Sequence, residues 1–112
     1  NPFLVLDPGA RACLPTRLYA AIPYGYEGVI RPRSGLTIKE GLVAQIGTID
    51  SNYRGEIMIT VINQGTEPVV IEHTERVAQL AIRKVEEVEW INVDKLDKTD
   101  RGNDGFGSSG KF

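Results

Sequence analysis

"EIMITVIN" (residues 56–63) is the stretch on which the fold class turns. Alternation places Ile57, Ile59 and Val61 on one face and Met58 and Ile62 on the other, so both faces are apolar. A sheet with one face in water alternates apolar with polar residues. This strand therefore expects cover on both sides. A chain of 112 residues has one core to offer, which covers one face. A neighbouring subunit is the natural cover for the other.

Outward from that strand, short runs rich in β-branched and aromatic residues recur between turn signals, the pattern of an all-β sandwich or barrel. Strands are expected at 3–6, 10–15, 17–23, 27–32, 41–46, 68–72, 76–86 and 88–93, with Trp90 in the core. Turns are expected at 6–10, 23–28, 50–55 and 63–68, and only 34–41 suits a short helical turn. From "DKLDKTD" (94–100) the chain turns polar, then enters the glycine-rich "RGNDGFGSSGKF" (101–112). The division is thus a β-domain over 1–100 and a tail over 101–112. The chain opens on Asn1 rather than Met, which points to a segment upstream.

Composition excludes several function classes. A formal net charge of -2 gives no global field to draw the chain to nucleic acid or an acidic membrane, so any anion site is local. No apolar run reaches the length of a membrane-spanning helix. Cys13 is the only cysteine, which rules out an intrachain disulfide and suits a reducing compartment such as the cytoplasm. With His73 as the only histidine, the usual protein-only zinc sites are excluded. His73 sits at a predicted turn and reads as a surface residue; no nucleophile elbow or P-loop accompanies it.

Four stretches could carry chemistry, and each has a plainer reading. "RPRSGL" (31–36) sets the Arg33 fork beside the Ser34 hydroxyl and Gly35, a phosphate-binding set or a solvated turn. "GTIDSNYRGE" (47–56) is a hairpin in which Asp50 either caps its own turn or acts as a general base, with Tyr53 as a pocket wall. "RVAQLAI" (76–82) places Gln79 among apolar neighbours, where its amide needs a partner in backbone or ligand. In the tail, Arg101, Ser108, Ser109 and glycine N–H groups could cradle phosphates while Phe106 stacks on a base; the same composition describes a linker.

Taken in order, "PRSGL", "GTIDSNYRGE", "RVAQL" and "RGNDGFGSSG" resemble the second to fifth motifs of the homotrimeric all-β dUTP diphosphatases (dUTPases). The resemblance runs over essentially the whole chain. It implies a distorted β-barrel or jelly-roll-like fold, assembled as a trimer with sites shared between subunits. It implies hydrolysis of dUTP to dUMP and pyrophosphate, which limits uracil in DNA and supplies dUMP. In the family, backbone groups of the hairpin, here Gly47, Thr48 and Ile49 onward, read the uracil edge, and the Tyr53 ring lies against the deoxyribose. Asp50 matches the base that deprotonates the attacking water. Arg33, Ser34, Gly35 and Gln79 match phosphate contacts; Arg101, Ser108 and Ser109 match those of a mobile lid whose Phe106 covers the base. Mg²⁺ is held by the triphosphate and waters, not directly by the protein.

The alternatives are a dUTPase-fold module that binds nucleotide or protein without turnover, and a related dCTP deaminase, whose S-S-x-A-R pattern "RPRSGL" lacks. Three departures from the family pattern stand out. Asp104 replaces a glycine of the fifth motif, and Ala44 falls where many bacterial members carry a uracil-contacting asparagine. The first motif, A-G-[YL]-D-L, with its aspartate near the metal's water shell, does not occur in residues 1–112; "LDPGA" (6–10) reads as the turn that follows it.

Overall fold

The computed structural model describes residues 3–107 and 110–112. Among these residues, eight strands and one short helix follow in the order β1 (Phe3–Leu6), β2 (Arg11–Pro15), β3 (Tyr26–Pro32), α1 (Ser34–Glu40), β4 (Leu42–Ala44), β5 (Gly47–Ile49), β6 (Met58–Asn63), β7 (Val69–Glu72) and β8 (Ala78–Lys84). They form three small antiparallel sheets, ordered β1-β7, β2-β6-β4 and β5-β3-β8. The expected all-β class is what the chain adopts.

β6 is central because it has partners on both edges. Val61 lies opposite Ala12 of β2 and Ala44 of β4, and the two small methyl groups let the sheet close over a side chain with 0% exposure. Around it Leu6, Leu42, Val69, Ile71 and Val77 form the main cluster. Ile22, Ile30, Ile49 and Ile57 form a second, and Ile59 and Ala78 pack against both. The opposite face of β6 is open: Met58 is 43% exposed within this chain.

At the end of β6, Asn63 is fully buried yet satisfied. Its Nδ2 donates to the Leu6 carbonyl (2.9 Å) and the Glu67 carbonyl (2.8 Å), and its Oδ1 accepts the Gly65 N–H (2.9 Å). One side chain thus ties β1, β6 and the following turn together. That turn lies against α1, whose left-handed C-cap Gly41 (φ 72°) sits so close that a Cβ would be 2.6 Å from Gly65 Cα.

Three sequence expectations need correction. Residues 17–23 form no strand. Arg17 adopts a left-handed φ of 58°, which breaks extended geometry, and the segment is instead pinned to β6's approach by Ile57 N–H to the Leu18 carbonyl (2.8 Å). The run 41–46 is not one strand but splits into β4 and the start of a path to β5 in another sheet. Residues 88–93 form no strand, and Trp90 is 91% exposed rather than core. β8 runs along β3 as far as the pair Tyr26↔Lys84; beyond it β3 gives way to the turn Pro23–Tyr26, which offers only the Gly25 carbonyl to the Val85 N–H (2.8 Å). The described residues beyond Glu87 therefore leave the body as an exposed arm. The Cα radius of gyration, 19.5 Å, exceeds the ~13 Å of a compact chain this long for that reason. No helix among the described residues is long and apolar enough to cross a membrane.

Candidate active site

β5 is an edge strand. It pairs with β3 on one side only (Gly47 opposite Ile30, Thr48 opposite Val29, Ile49 opposite Gly28), leaving the backbone groups of its other edge unpaired within the sheet. Gly28 makes this pairing close: a Cβ there would lie 2.9 Å from Ile22 Cδ1 and 3.2 Å from Ile49 Cβ, so both neighbours would have to shift. Ile49 is buried and anchors the strand, while Asp50, the next residue, emerges exposed. The turn closes with Tyr53 N–H donating to the Asp50 carbonyl (3.1 Å).

Tyr53 folds back over the turn. Its hydroxyl donates to the Glu56 carbonyl (2.7 Å), and its ring covers Gly55 so closely that a Cβ there would sit 2.6 Å from Cζ. Arg54 Nη1 donates to the Ser51 and Tyr53 carbonyls (2.8 and 3.0 Å) and stiffens the bend. The result is a cavity of 210 Å³ lined by Thr48, Ile49, Asp50, Tyr53, Glu56, Ile57 and Met58. Sequence reasoning missed Gly55, Glu56, Ile57 and Met58. A glycine two positions after a turn tyrosine was the available signal for the first. The others line the cavity only because β6 begins beneath the hairpin.

Arg33, Ser34, Gly35 and Gln79 gather elsewhere, where β3 passes into α1 beside the start of β8. Arg33 Nη1 donates to the Arg76 carbonyl (3.1 Å) and Gln79 Nε2 to the Pro32 carbonyl (3.0 Å), so both side chains are tethered to backbone. Ser34 and Gly35 are exposed, with nothing within 4 Å of the position a Gly35 Cβ would take.

The two groups lie at opposite ends of β3. Ile49 is level with Gly28, and Arg33 follows five residues later, about 17 Å along an extended strand. One chain does not bring Asp50 to Arg33. The tail adds a third piece: Arg101 Nε donates to the Asp104 carbonyl (2.7 Å), Gly102 N–H to Thr99 Oγ1 (3.0 Å), and Phe106 is fully exposed. Ser108 and Ser109 lie outside the described residues. A larger open cleft of 630 Å³ between α1 and the β6–β7 turn contains none of these candidates.

The dUTPase family model matches residues 3–110, which takes in the hairpin, the Arg33–Gln79 corner and the tail. The chain belongs to the dUTPase family. It is 48% identical over 109 residues to a deoxyuridine 5'-triphosphate nucleotidohydrolase of Finegoldia magna, covering 96% of this chain and 76% of that protein. A protein of the same name from Fusobacterium nucleatum is 48% identical over 103 residues, with 90% and 70% covered. Among solved structures, a mutant Staphylococcus bacteriophage 80alpha dUTPase with dUpNHpp superposes at a TM-score of 0.88 with 30% identity, covering 97% of this chain and 81% of that one. A mutant dUTPase from phage phi11 of S. aureus, described with a structural Mg(II) ion, gives 0.77 at 25% identity over 83% and 78%.

Against that family pattern, Ala44 is a core residue here, 1% exposed and opposite Val61. Gln45 is exposed, and its N–H donates to the Thr60 carbonyl (2.8 Å). Ala44 is turned away from the Asp50 cavity and is absent from its lining. Among the described residues, no three His, Cys, Asp or Glu side chains converge as metal ligands.

Proposed function

We infer that this chain hydrolyses dUTP to dUMP and pyrophosphate, with Asp50 as general base. The observation that carries the reading is the placement of Asp50 and Tyr53 in one cavity beside an edge strand whose outer backbone groups are unpaired. Backbone donors and acceptors of Gly47, Thr48 and Ile49 hydrogen-bond the uracil edge. Cytosine presents a donor where uracil presents an acceptor, and the mismatch leaves buried groups unpaired. The Tyr53 ring, held by the Glu56 carbonyl, packs on the deoxyribose and leaves no room for a 2′-hydroxyl.

Asp50 takes a proton from a water as its oxygen attacks the α-phosphorus. The bond from that phosphorus to the bridging oxygen breaks, and pyrophosphate leaves. Arg33, Ser34, Gly35 and Gln79 bind the phosphates. Residues 101–112 act as a lid on the 1–100 body, with Arg101, Ser108 and Ser109 on phosphate and Phe106 over the base. The donor set suits a cation brought by the triphosphate: Asp50 is a single exposed carboxylate, and one oxygen of neighbouring Glu56 already accepts the Arg17 N–H (2.8 Å). Mg²⁺, when bound with the nucleotide, neutralises charge on the phosphates.

The site is completed by neighbouring copies in a homotrimer. Supporting this are the span of β3 between Asp50 and Arg33, the open face of β6, and an arm whose Val88, Trp90, Ile91 and Leu96 are 73–91% exposed. Exposed Cys13, the single cysteine, suits the reducing cytoplasm.

The test is Asp50→Asn, assayed by pyrophosphate release from dUTP with Mg²⁺ and by binding of a non-hydrolysable analogue. Binding is retained and turnover falls by about 10²–10⁴-fold, the usual loss of a positioned base. Near-normal turnover in the variant removes Asp50 from the role. Parallel assays with dCTP, dTTP and UTP check the base and sugar readings, and an analogue bound without turnover by the unsubstituted chain leaves a binding module instead.

A further inference from the structure

We propose that Tyr24 and Glu87 form a latch that aims the 88–112 arm, which makes Tyr24 a positioning residue for dUTP hydrolysis; the proposal rests on the lid reading of the tail. Tyr24 stands on a stiff post. The turn Pro23–Tyr26 closes through the Tyr26 N–H and the Pro23 carbonyl (3.1 Å), and Gly25 holds a φ of 89° that a residue with a Cβ rarely adopts. From this turn two bonds reach the departing chain. The Gly25 carbonyl accepts the Val85 N–H (2.8 Å), and the Tyr24 hydroxyl donates to the Glu87 carboxylate.

A single bond would leave the chain free to pivot about it; two bonds, two residues apart on the arm, set an exit direction. Beyond Glu87, every hydrogen bond among the described residues of the arm is internal to it: Thr99 to Gly102, Arg101 to Asp104 and Gly107 to Gly110. The latch is the last place where the body steers the arm. Packing does not account for Tyr24, because the side chain is 82% exposed. Donation of its hydroxyl to the Glu87 carboxylate, with that group's negative charge, raises the phenol's pKa.

Direction matters because of the distance to be covered. Thirteen residues separate Glu87 from Arg101, and the exposed Val88, Trp90, Ile91 and Leu96 among them have to reach a neighbouring copy before the lid can reach its site. Freeing the first segment dilutes Arg101 and Phe106 over a larger volume, which lowers the effective concentration of the lid at its site. The cost appears when nucleotide gathers the lid, so it falls on KM and not on the chemical step.

Tyr24→Phe removes one oxygen and leaves the turn intact. With dUTP and Mg²⁺, the expected result is a KM raised roughly three- to tenfold, the effect of one lost charge-assisted bond at an exposed position, with kcat within about twofold. Glu87→Ala matches it, Glu87→Gln restores part of the loss by keeping an acceptor, and the double variant Tyr24→Phe/Glu87→Ala is no worse than either single one. In a chain ending at Asp100, where no lid remains to aim, Tyr24→Phe leaves the residual activity unchanged. An equal loss in that shortened chain, additive single effects, or a full-length Tyr24→Phe with unaltered KM overturns the latch. If removing 101–112 does not reduce turnover at all, the lid reading fails and the latch falls with it; loss of activity on truncation beside an unaffected Tyr24→Phe sinks the latch alone.

Discussion

"MITVIN" (58–63) and "VEWINV" (88–93) look alike on paper: both are short, rich in β-branched residues and apolar on both alternating sets. In the structure they could hardly differ more. β6 lies between two strands, with Val61 and Asn63 at 0% exposure. The later run pairs with nothing among the described residues of this chain, and Trp90 is 91% exposed. Apolar alternation therefore says that residues will be covered, but not by which molecule. β6 is covered on one face by its own chain; the arm's apolar side chains find no cover among the described residues of this chain.

The sharpest way to break this contrast is to strike each region and ask where the damage appears. In the body it appears in the fold. Asn63→Leu keeps a buried, similarly sized side chain but orphans the Leu6 and Glu67 carbonyls and the Gly65 N–H. The expected loss is about 3–5 kcal/mol, since each unpaired buried group costs about 1–3 kcal/mol and the three relax together. Denaturant unfolding checks it. A loss below 1 kcal/mol means that water reaches the site and the Asn63 knot is not what holds β1 to β6.

In the tail, damage appears in turnover and not in the melt. A chain ending at Asp100 loses no strand, because β8 ends at Lys84, so its ligand-free Tm stays within a few degrees of the parent's. Its kcat/KM for dUTP falls by about 10²-fold, a typical loss when donors to a charged transition state are removed. A matching fall in Tm means the tail is part of the fold. Undiminished activity means that it is a linker.

Between those extremes, Trp90→Ala leaves the unfolding of a dilute single chain unchanged and weakens self-association by tenfold or more, about 1.4 kcal/mol or above, as expected for an aromatic anchor at an interface. Sedimentation across a concentration series reads this directly. Unaltered association places Trp90 in solvent in the assembly too.

The same contrast explains what was legible in the sequence. β1, β3, β6 and β7 stand within two residues of where period and turn signals put them, because their partners lie within the chain and propensity and burial agree. The run at 17–23 was misread because its apolar pattern carries no sign of the left-handed backbone at Arg17. The 41–46 run was misread because a change of sheet after Ala44 leaves no mark in composition. The candidate site residues are named by motif, but their placement is not legible there. Alternation alone could not show that Asp50 and Arg33 lie at opposite ends of β3, nor that Glu56 turns its carboxylate to the Arg17 N–H.

Arg17 supplies the smallest effect and the finest test of the body's self-sufficiency. A non-glycine residue at φ 58° carries a left-handed backbone, which costs roughly 1–2 kcal/mol. Arg17→Gly removes that strain and keeps the backbone N–H that donates to Glu56. Against this gain stands the larger freedom of glycine in the unfolded chain, about 0.5–1 kcal/mol. The difference favours the variant by about 0.5–1 kcal/mol, a rise of a few degrees in Tm. Because the side chain is exposed and the only ion pair among the described residues is Lys84–Glu86, no salt bridge is lost in the exchange. Parallel dUTP turnover separates two readings of why arginine is found there. Unchanged activity with higher Tm means that the strain serves nothing at this position. A fall in stability instead means that the arginine stem covers apolar surface worth more than the strain, and that the body's packing extends to its linker at 16–18.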